Sequence, residues 1–224
     1  MKYEIEIKSL LGSKEKADFL KSKMLESDPD THVTTHSKQL NHYFINGDFE
    51  SLRENIDRNI PDQEKKERLK TILKEGKSHS VRTRKLNEDV LLVIKASVDD
   101  STSSNGISRM EFEEKLPLTL DELDEILLQS GFEYQAKWSR EREEYKFKDI
   151  NICLDKNAGY GYVAEFEKII DNIDTIEDSK REIKNIMREM QVEELAQDRL
   201  ERMFAHYNEN WRKYYGTDNI FTLE

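Results

Sequence analysis

Charged side chains recur two residues apart on one predicted strand after another, and they are grouped by sign. The acidic pairs are Glu4/Glu6, Glu111/Glu113 and Glu165/Glu167, and the basic pairs are Arg82/Arg84 and Arg140/Arg142. Residues two apart on a strand lie on the same face of a sheet. On an ordinary half-exposed sheet, mixed charges would scatter along the polar face. Strands of this kind, closed into a barrel, would instead point the charged side chains into the lumen.

Single charged residues on these strands and on two further predicted strands complete this set. Lys8, Lys95 and Arg109 add positive charge, and Asp155 adds negative charge. Arginine and lysine bind phosphate oxygens, while carboxylates hold Mg²⁺ or Mn²⁺. A polyphosphate with its metal ions is the ligand that requires both sets at once. Each pair by itself is more typical of a solvated strand, so this interpretation depends on their combination.

The apolar periodicity predicts a mixture of strands and helices. Residues 2–8 alternate between apolar and charged side chains, which is the period of a strand. Ser13 precedes a helical segment in the position of an N-cap, and Thr119 opens a second helical segment. Further strands are predicted near 39–45, 81–84, 90–97, 108–114, 140–148, 150–155 and 160–169, and helices near 14–25, 48–75 with a break at Pro61, 119–129, 176–190 and 192–214. This arrangement predicts the α+β class.

The charge balance excludes one class of partner. The 224 residues include 36 Lys and Arg against 47 Asp and Glu, which gives a formal net charge of −11. So acidic a chain repels the phosphate backbone, and nucleic-acid binding is not expected. No apolar run approaches the ~20 residues that span a bilayer, and the start at Met1 shows no signal peptide. We therefore expect a cytoplasmic protein with neither a nucleic-acid nor a membrane partner.

The cysteine and the histidines argue against other kinds of site. Cys153 is the single cysteine, so an intramolecular disulfide is excluded. The five histidines, at 32, 36, 42, 79 and 206, lack zinc-ligand spacing with it. The sequence contains neither a P-loop nor a Gly-x-Ser-x-Gly motif. Zinc and nucleophilic chemistry are therefore not predicted.

The order of the charged motifs along the chain is informative in its own right. The chain opens with Glu4-Ile-Glu6-Ile-Lys8. It continues with Val-Arg-Thr-Arg at 81–84, a strand ending in Lys95, Arg-Met-Glu-Phe-Glu at 109–113, Arg140-Glu-Arg142 before Tyr145, Asp155, and Gly-Tyr-Val-Ala-Glu-Phe-Glu at 161–167. This series resembles the CYTH superfamily, also called the triphosphate tunnel metalloenzymes. The resemblance covers roughly 1–45 and 80–170.

The resemblance implies a fold and a domain organisation. The expected fold is an eight-stranded antiparallel β-barrel, the triphosphate tunnel, with flanking helices and a helical C-terminal extension. Residues 1–170 would form the tunnel domain with a helical insert at about 46–78, and helices within 171–224 would pack on the same domain. The insert and the tail depart from the family pattern. We expect them to pack outside the barrel through the apolar stripes Leu52/Ile56 and Phe204/Trp211, as support or as the surface of a homodimer.

The resemblance also implies roles for the charged residues and a cofactor, Mg²⁺ or Mn²⁺. The metal-facing residues would be Glu4, Glu6, Asp155, Glu165 and Glu167. The phosphate-binding residues would be Lys8, Arg82, Arg84, Lys95, Arg109, Arg140 and Arg142, with Glu111 and Glu113 as further lumen carboxylates. Glu165, Glu167 and Lys8 would be catalytic.

Members of the superfamily hydrolyse inorganic triphosphate, thiamine triphosphate or nucleoside triphosphates, or cyclise ATP. The sequence shows a phosphate cradle but no recognisable element that binds a base. The first hypothesis is therefore a metal-dependent triphosphatase that acts on inorganic tripolyphosphate. The alternative is a class IV-type adenylyl cyclase that converts ATP to cyclic AMP and pyrophosphate. A second alternative is a non-catalytic module that binds polyphosphate or nucleotides.

Overall fold

The computed structural model describes residues 3–60, 62–97 and 109–223, without the side chains of Tyr3, Glu4, Arg109 and Ile173. The strands in these ranges are β1 (Tyr3–Gly12), β2 (His32–Ile45), β3 (Lys77–Leu86), β4 (Asp89–Ser97), β5 (Arg109–Lys115), β6 (Glu133–Phe147), β7 (Ile150–Asn157) and β8 (Gly161–Ile170). The α-helices are α1 (Lys14–Ser27), α2 (Phe49–Ile56), α3 (Gln63–Glu75), α4 (Leu120–Gln129), α5 (Ile176–Glu189) and α6 (Gln197–Asn210). Short 3₁₀ helices follow at Asp57–Asn59, Ile173–Thr175 and Trp211–Lys213.

The strands form an eight-stranded sheet in the order β1-β8-β7-β6-β2-β3-β4-β5. The pairs β1/β8, β7/β8, β6/β7, β2/β3, β3/β4 and β4/β5 are all antiparallel. The α+β class and the eight antiparallel strands expected from the sequence are confirmed. Across residues 3–60, 62–97 and 109–223, β1 and β5 are the two ends of this order.

The chain divides into two compact units. The first contains the described residues up to Lys38 and those from Ser139 onward, and the second contains those from Gln39 to Trp138. Each of the long strands β2 and β6 therefore has one part in the first unit and the other part in the second. The domain limits expected from the sequence, 1–170 and 171–224, stay a prediction.

In the first unit, one face of β1, β7 and β8 packs against α1 and α5. Ile5 and Ile7 of β1 are buried in this core and alternate with charged residues. Other members of the core are Leu20 and Met24 of α1, Leu154 of β7, Phe166 of β8, and Ile183 and Met187 of α5. Because strand side chains alternate, Glu6 and Lys8 of β1, Asp155 of β7, and Glu165 and Glu167 of β8 lie on the opposite face.

In the second unit, one face of β3, β4 and β5 packs against α2, α3 and α4. Leu52 and Ile56 are fully buried in this core, so the predicted packing of the helical insert through them is confirmed. The core also includes Leu69 and Ile72 of α3, Val81 of β3, Ile94 of β4, Phe112 of β5 and Leu127 of α4. The expected break at Pro61 concerns a residue outside the described ranges.

The apolar stripe of α6 differs from the prediction. Met203 and Tyr207 are buried, whereas Phe204 is 43% exposed and Trp211 is half-buried. The most buried side chains of α6 are therefore not those of the predicted stripe, and packing through Phe204/Trp211 stays a prediction. Tyr207 is buried because the turn before β8 provides a surface without a side chain: a Cβ at Gly159 would lie 2.8 Å from the Tyr207 ring. Gly159 has a positive φ of 82° and also pairs with Ile220 in an isolated parallel bridge.

The helix starts expected at Ser13 and Thr119 are confirmed. The Ser13 hydroxyl accepts the N–H of Lys16, and Thr119 forms a capping box with Glu122. Each cap satisfies a backbone N–H that has no partner within the helix. No helix in the described part of the chain combines the length and the apolar character needed to cross a membrane.

Candidate functional site

The strand register of the first unit brings the opening acidic-basic motif beside the acidic pair of β8. Lys8 lies opposite Glu165, and Glu6 lies opposite Glu167, in the β1–β8 pairing. On its other side, Glu165 lies opposite Cys153 of β7. Side chains directly opposite each other on antiparallel strands have Cβ atoms ~4.5–5.5 Å apart. This register therefore places a lysine, three acidic side chains and a thiol on one face, which we call the first charged face.

Arg142 of β6 is the centre of an ion-pair network on the first charged face. Its Nε donates to Asp155 Oδ1, and its Nη2 donates to Asp155 Oδ2, each at 2.7 Å. The same Nη2 also donates to Glu165 Oε2. Arg140 Nη1 donates to Asp155 Oδ2 at 2.9 Å. Asp155 is fully buried, so its negative charge depends on the arginines that hold both of its oxygens.

Lys8 extends this network from β1. Its Nζ lies 2.6 Å from Glu165 Oε1 and also pairs with Glu6. Burial raises the pKa of Glu165, but neighbouring cations outweigh it and hold the pKa at about 2. These cations are Lys8, Arg142 and Arg140. Burial alone would lower the pKa of Lys8, but Glu165 and Glu6 overcome this and raise it. Both members of the Lys8–Glu165 pair are therefore charged at neutral pH.

Glu165 and Glu167 offer oxygen ligands to a divalent cation. An oxygen of each and the Sγ of Cys153 all lie within 4.8 Å of one another. Carboxylate oxygens are the ligands that Mg²⁺ and Mn²⁺ prefer, whereas thiolates favour softer ions. Burial raises the pKa of the Cys153 thiol, which keeps the sulfur protonated. The donor set therefore fits a hard cation on the two glutamates.

In the second unit, Arg82 of β3 is held by Tyr43 of β2, its direct partner in the strand register. Arg82 Nη1 donates to the Tyr43 hydroxyl at 2.7 Å, and the guanidinium carbon lies 5.4 Å from the centroid of the ring. The Nε of Arg82 is buried and has no hydrogen-bond partner within the described residues. This N–H is therefore a donor that an oxyanion could satisfy.

Arg84 and Lys95 are each paired with an acidic residue of β5. Arg84 Nη1 donates to Glu113 Oε1 at 3.0 Å, and its Nε donates to Asn41 Oδ1 at 2.8 Å. Lys95 Nζ lies 2.9 Å from Glu111 Oε1, its partner in the β4–β5 register. Together with Arg82 and Tyr43, these residues form the second charged face. Glu111 and Glu113 serve there as counter-ions to Lys95 and Arg84.

Comparison with known proteins decides the family. The sequence model of the CYTH domain matches residues 72–199, which is more than half of the chain. This chain belongs to the CYTH family. The CYTH match begins after the motif at 4–8 and ends within α6. The comparison with curated proteins finds no match.

Solved structures share the CYTH fold at low sequence identity. A protein of Pyrococcus horikoshii is 22% identical with a TM-score of 0.56, covering 85% of this chain and 92% of that one. A candidate adenylate cyclase of Vibrio parahaemolyticus is 13% identical with a TM-score of 0.56, covering 87% and 94%. A candidate adenylyl cyclase of Hippeastrum, described as revealing a dominant triphosphatase activity, is 14% identical with a TM-score of 0.51, covering 90% and 95%. At these identities the likeness shows the fold alone.

The cations predicted as phosphate ligands of this CYTH protein fall into two sets. Lys8, Arg140 and Arg142 lie on the first charged face, and Arg82, Arg84 and Lys95 lie on the second. The side chain of Arg109 lies outside the described part. That both sets bind one anion stays a prediction.

The carboxylates predicted to hold the metal have different surroundings. Glu6, Glu165 and Glu167 lie side by side across β1 and β8. Asp155 is enclosed by two arginines, which a metal would have to displace. The side chain of Glu4 is outside the described residues. The metal-binding roles of all five therefore stay predictions.

Three residues of the charged faces were not assigned from the sequence. Asn41 and Tyr43 bond to arginines of the second face, and Cys153 lies beside Glu165 on the first. Their positions follow the same period of two as the charged residues, because Asn41 and Tyr43 are two apart and Cys153 is two residues before Asp155. The sequence could therefore have placed them on the charged faces. Because these side chains are neutral, they do not contribute to the grouping of charges by sign that marks the other residues.

Proposed function

We propose that this CYTH protein is a metal-dependent phosphohydrolase that cleaves a triphosphate, with inorganic tripolyphosphate as the substrate. The observation that carries the proposal is the first charged face, where Lys8 and Arg142 contact the carboxylates of Glu165 and Asp155. A ligand that is both anionic and metal-bound can replace these internal ion pairs with equivalent ones. Tripolyphosphate with its divalent ions is such a ligand.

In this proposal, the cations of the first face bind the phosphate oxygens. Lys8, Arg140 and Arg142 provide positive charge from two different strands, and the arginines can bind two oxygens at once. Stabilisation of the charge that spreads over phosphoryl oxygens in the transition state is the main source of catalysis in phosphoryl transfer. Lys8 contacts Glu165 directly, which fits the catalytic role proposed for both residues.

Glu6, Glu165 and Glu167 are the residues that would hold Mg²⁺ or Mn²⁺ in this proposal. The metal would supply charge neutralisation for the phosphates and acidify a bound water. Both carboxylate oxygens of Glu165 face cations, Oε1 facing Lys8 and Oε2 facing Arg142, so Glu165 is held by hydrogen bonds to its neighbours. We therefore assign Glu165 to orienting the attacking water by hydrogen bonding and Glu167 to accepting its proton.

The test is a product analysis with three substrates. The purified protein is incubated with tripolyphosphate, ATP or thiamine triphosphate, each with Mg²⁺ or Mn²⁺. We expect orthophosphate and pyrophosphate from tripolyphosphate at a higher kcat/KM than for either organic substrate. Cyclic AMP and pyrophosphate from ATP, without tripolyphosphate hydrolysis, would establish the cyclase alternative. Binding without turnover of any substrate would establish the non-catalytic module.

The matched control for this assay is a pair of variants on β8. Glu167→Gln removes the proposed proton acceptor and keeps the size of the side chain. Lys168→Gln changes the next residue, which points to the other face and pairs with Asp149 and Glu182. We expect turnover to fall only in the first variant. Cytoplasmic location and homodimer formation stay predictions, tested by fractionation and by light scattering.

A further inference from the structure

We propose that Tyr43 is a positioning residue for Arg82, and that it reserves one edge of the Arg82 guanidinium for a phosphate of the substrate. The inference rests on the proposed function and deepens it, because it names a residue that governs affinity for the triphosphate. It concerns the second charged face, where β2 and β3 run side by side.

The contact between the two side chains fixes the guanidinium in two ways. The Tyr43 hydroxyl accepts a hydrogen bond from Nη1 at 2.7 Å, and the ring lies 5.4 Å from the guanidinium carbon. A hydroxyl contact and a ring contact from one residue restrict both the position and the plane of the guanidinium. Arg82 therefore needs little reorganisation when a ligand arrives.

The choice of donor atom decides which edge of Arg82 remains for a ligand. Tyr43 engages Nη1, and within the described residues the buried Nε has no hydrogen-bond partner. The edge formed by Nε and Nη2 is one of the two by which arginine binds a phosphate through parallel hydrogen bonds. A phosphate oxygen at Nε would satisfy a buried donor that is otherwise unpaired.

The partner of Arg82 also differs in charge from the partners of its neighbours. Arg84 pairs with Glu113 and Lys95 pairs with Glu111. In the described part of the chain, Arg82 has the hydroxyl of Tyr43 as its hydrogen-bond partner and forms no ion pair. A neutral hydroxyl orients the guanidinium without cancelling its charge. The positive charge of Arg82 can therefore attract an anion directly, whereas Arg84 and Lys95 must first break their ion pairs with Glu113 and Glu111.

The test measures binding of tripolyphosphate with Mg²⁺ by calorimetry, and KM and kcat where turnover occurs. Tyr43→Phe keeps the ring and removes the hydroxyl, so we expect Kd and KM to rise about fivefold, the typical effect of one hydrogen bond, with kcat nearly unchanged. Tyr145→Phe is the matched control, because it removes a hydroxyl that bonds to Glu143 at 2.8 Å on another part of the sheet. We expect this control to bind like the wild type.

A double-mutant cycle separates positioning from general structural support. In an Arg82→Ala background, Tyr43→Phe should have no further effect on Kd, because the group that Tyr43 positions is gone. A fivefold loss that persists in that background would overturn the inference, as would wild-type affinity in Tyr43→Phe. Wild-type protein that does not bind tripolyphosphate at all would instead refute the proposed function, and the inference would fall with it.

Discussion

Arg142 contacts three carboxylates of the first charged face, those of Asp155, Glu165 and Glu167. It donates two hydrogen bonds to the buried Asp155 and a third to Glu165. Arginines that share a face without counter-ions would repel one another, and removal of one would then be expected to leave folding intact. The observed pairing reverses that expectation, because among the described residues the loss of Arg142 leaves Asp155 with Arg140 as its remaining ion-pair partner.

The first prediction follows from this pairing. Arg142→Ala should lower kcat/KM roughly 10²-fold, as for loss of one preorganised donor. It should also lower the free energy of unfolding by about 3 kcal/mol, because it breaks a buried ion pair on one side. Steady-state kinetics and urea unfolding measure the two effects. Glu141→Ala is the control, since Glu141 points to the other face and pairs with Lys38 at 3.2 Å; equal losses in both variants would contradict the assignment.

The second prediction concerns the acid limb of stability. The folded pKa of Glu165 is about 2, against an ordinary value of 4.5. Because the folded pKa is the lower one, the stabilisation is fully present above pH 4.5 and is lost as the pH falls toward 2. A difference of this size corresponds to about 3 kcal/mol. Urea unfolding from pH 7 to pH 3 should show Glu165→Gln with a flatter pH dependence than wild type; parallel curves would show that Glu165 is not held as an anion.

Helix α4 is fastened to three strands of the second unit through one carboxylate. The buried Asp124 accepts hydrogen bonds from Thr83 of β3 at 2.6 Å and Tyr134 of β6 at 2.7 Å, and it contacts His42 Nδ1 of β2 at 2.6 Å. These hydrogen bonds overcome the effect of burial and lower the pKa of Asp124. Thr83 therefore faces away from Arg82 and Arg84 and binds α4 to the sheet through Asp124.

The third prediction tests this anchor. Asp124→Ala should lower the free energy of unfolding by about 3 kcal/mol, because the buried Thr83 and His42 and the half-buried Tyr134 lose their common partner. Thr83→Ala should cost about 1 kcal/mol, since one hydrogen bond is lost. Thermal or urea unfolding measures both, and kcat/KM of Thr83→Ala should stay near the wild-type value. If Asp124→Ala were as stable as the wild type, the network would contribute nothing to holding α4.

The elements that the sequence predicted best are those with one buried and one charged face. β1, β3, β4, β5, β7 and β8 were found within a few residues of their limits. The first part of β2 was missed because His32–His36 are all exposed, so no alternation marks the strand. The first part of β6 was missed although Tyr134, Ala136 and Trp138 alternate. Ala136 and Trp138 are buried, so that signal was present in the sequence.

Tertiary contacts that no local pattern contains account for the remaining differences. A helix was expected from about 192, but α6 begins at Gln197. The segment before α6 is bonded to β1 instead, because the N–H of Leu195 donates to the carbonyl oxygen of Lys8 at 2.7 Å. The charged faces could likewise be predicted as sets of residues, but not as ion pairs. Which carboxylate pairs with which cation depends on the register between strands distant in sequence.

The fourth prediction concerns the protein with both ligands. On the first charged face the carboxylates and cations neutralise each other, so Mg²⁺ alone or tripolyphosphate alone would have to break ion pairs such as Lys8–Glu165. When both bind, each released group regains a partner. Calorimetry should therefore show at least about tenfold tighter tripolyphosphate binding with saturating Mg²⁺ than with EDTA, a typical coupling between two ligands.

Activity should follow the same rule. EDTA should abolish turnover, and added Mg²⁺ or Mn²⁺ should restore it. Without the metal, a bound phosphate would take the cations from the carboxylates and would then be repelled by these unpaired negative charges. Binding of tripolyphosphate that is equally tight with and without the metal would refute the exchange of ion pairs. Full turnover in excess chelator would refute the metal-dependent mechanism.

The described residues of the second unit all lie between Gln39 and Trp138, so this unit is inserted in the chain of the first. Strand β1 of the first unit must pair with β8, where Tyr3 lies opposite Ile170. During synthesis on the ribosome, the inserted unit is complete long before the strand that β1 requires has been made. Domains generally fold as units in the order in which they emerge. We therefore expect the opening strand, with Glu6 and Lys8, to remain unpaired while the second unit folds, and to join the sheet after β8 has been made.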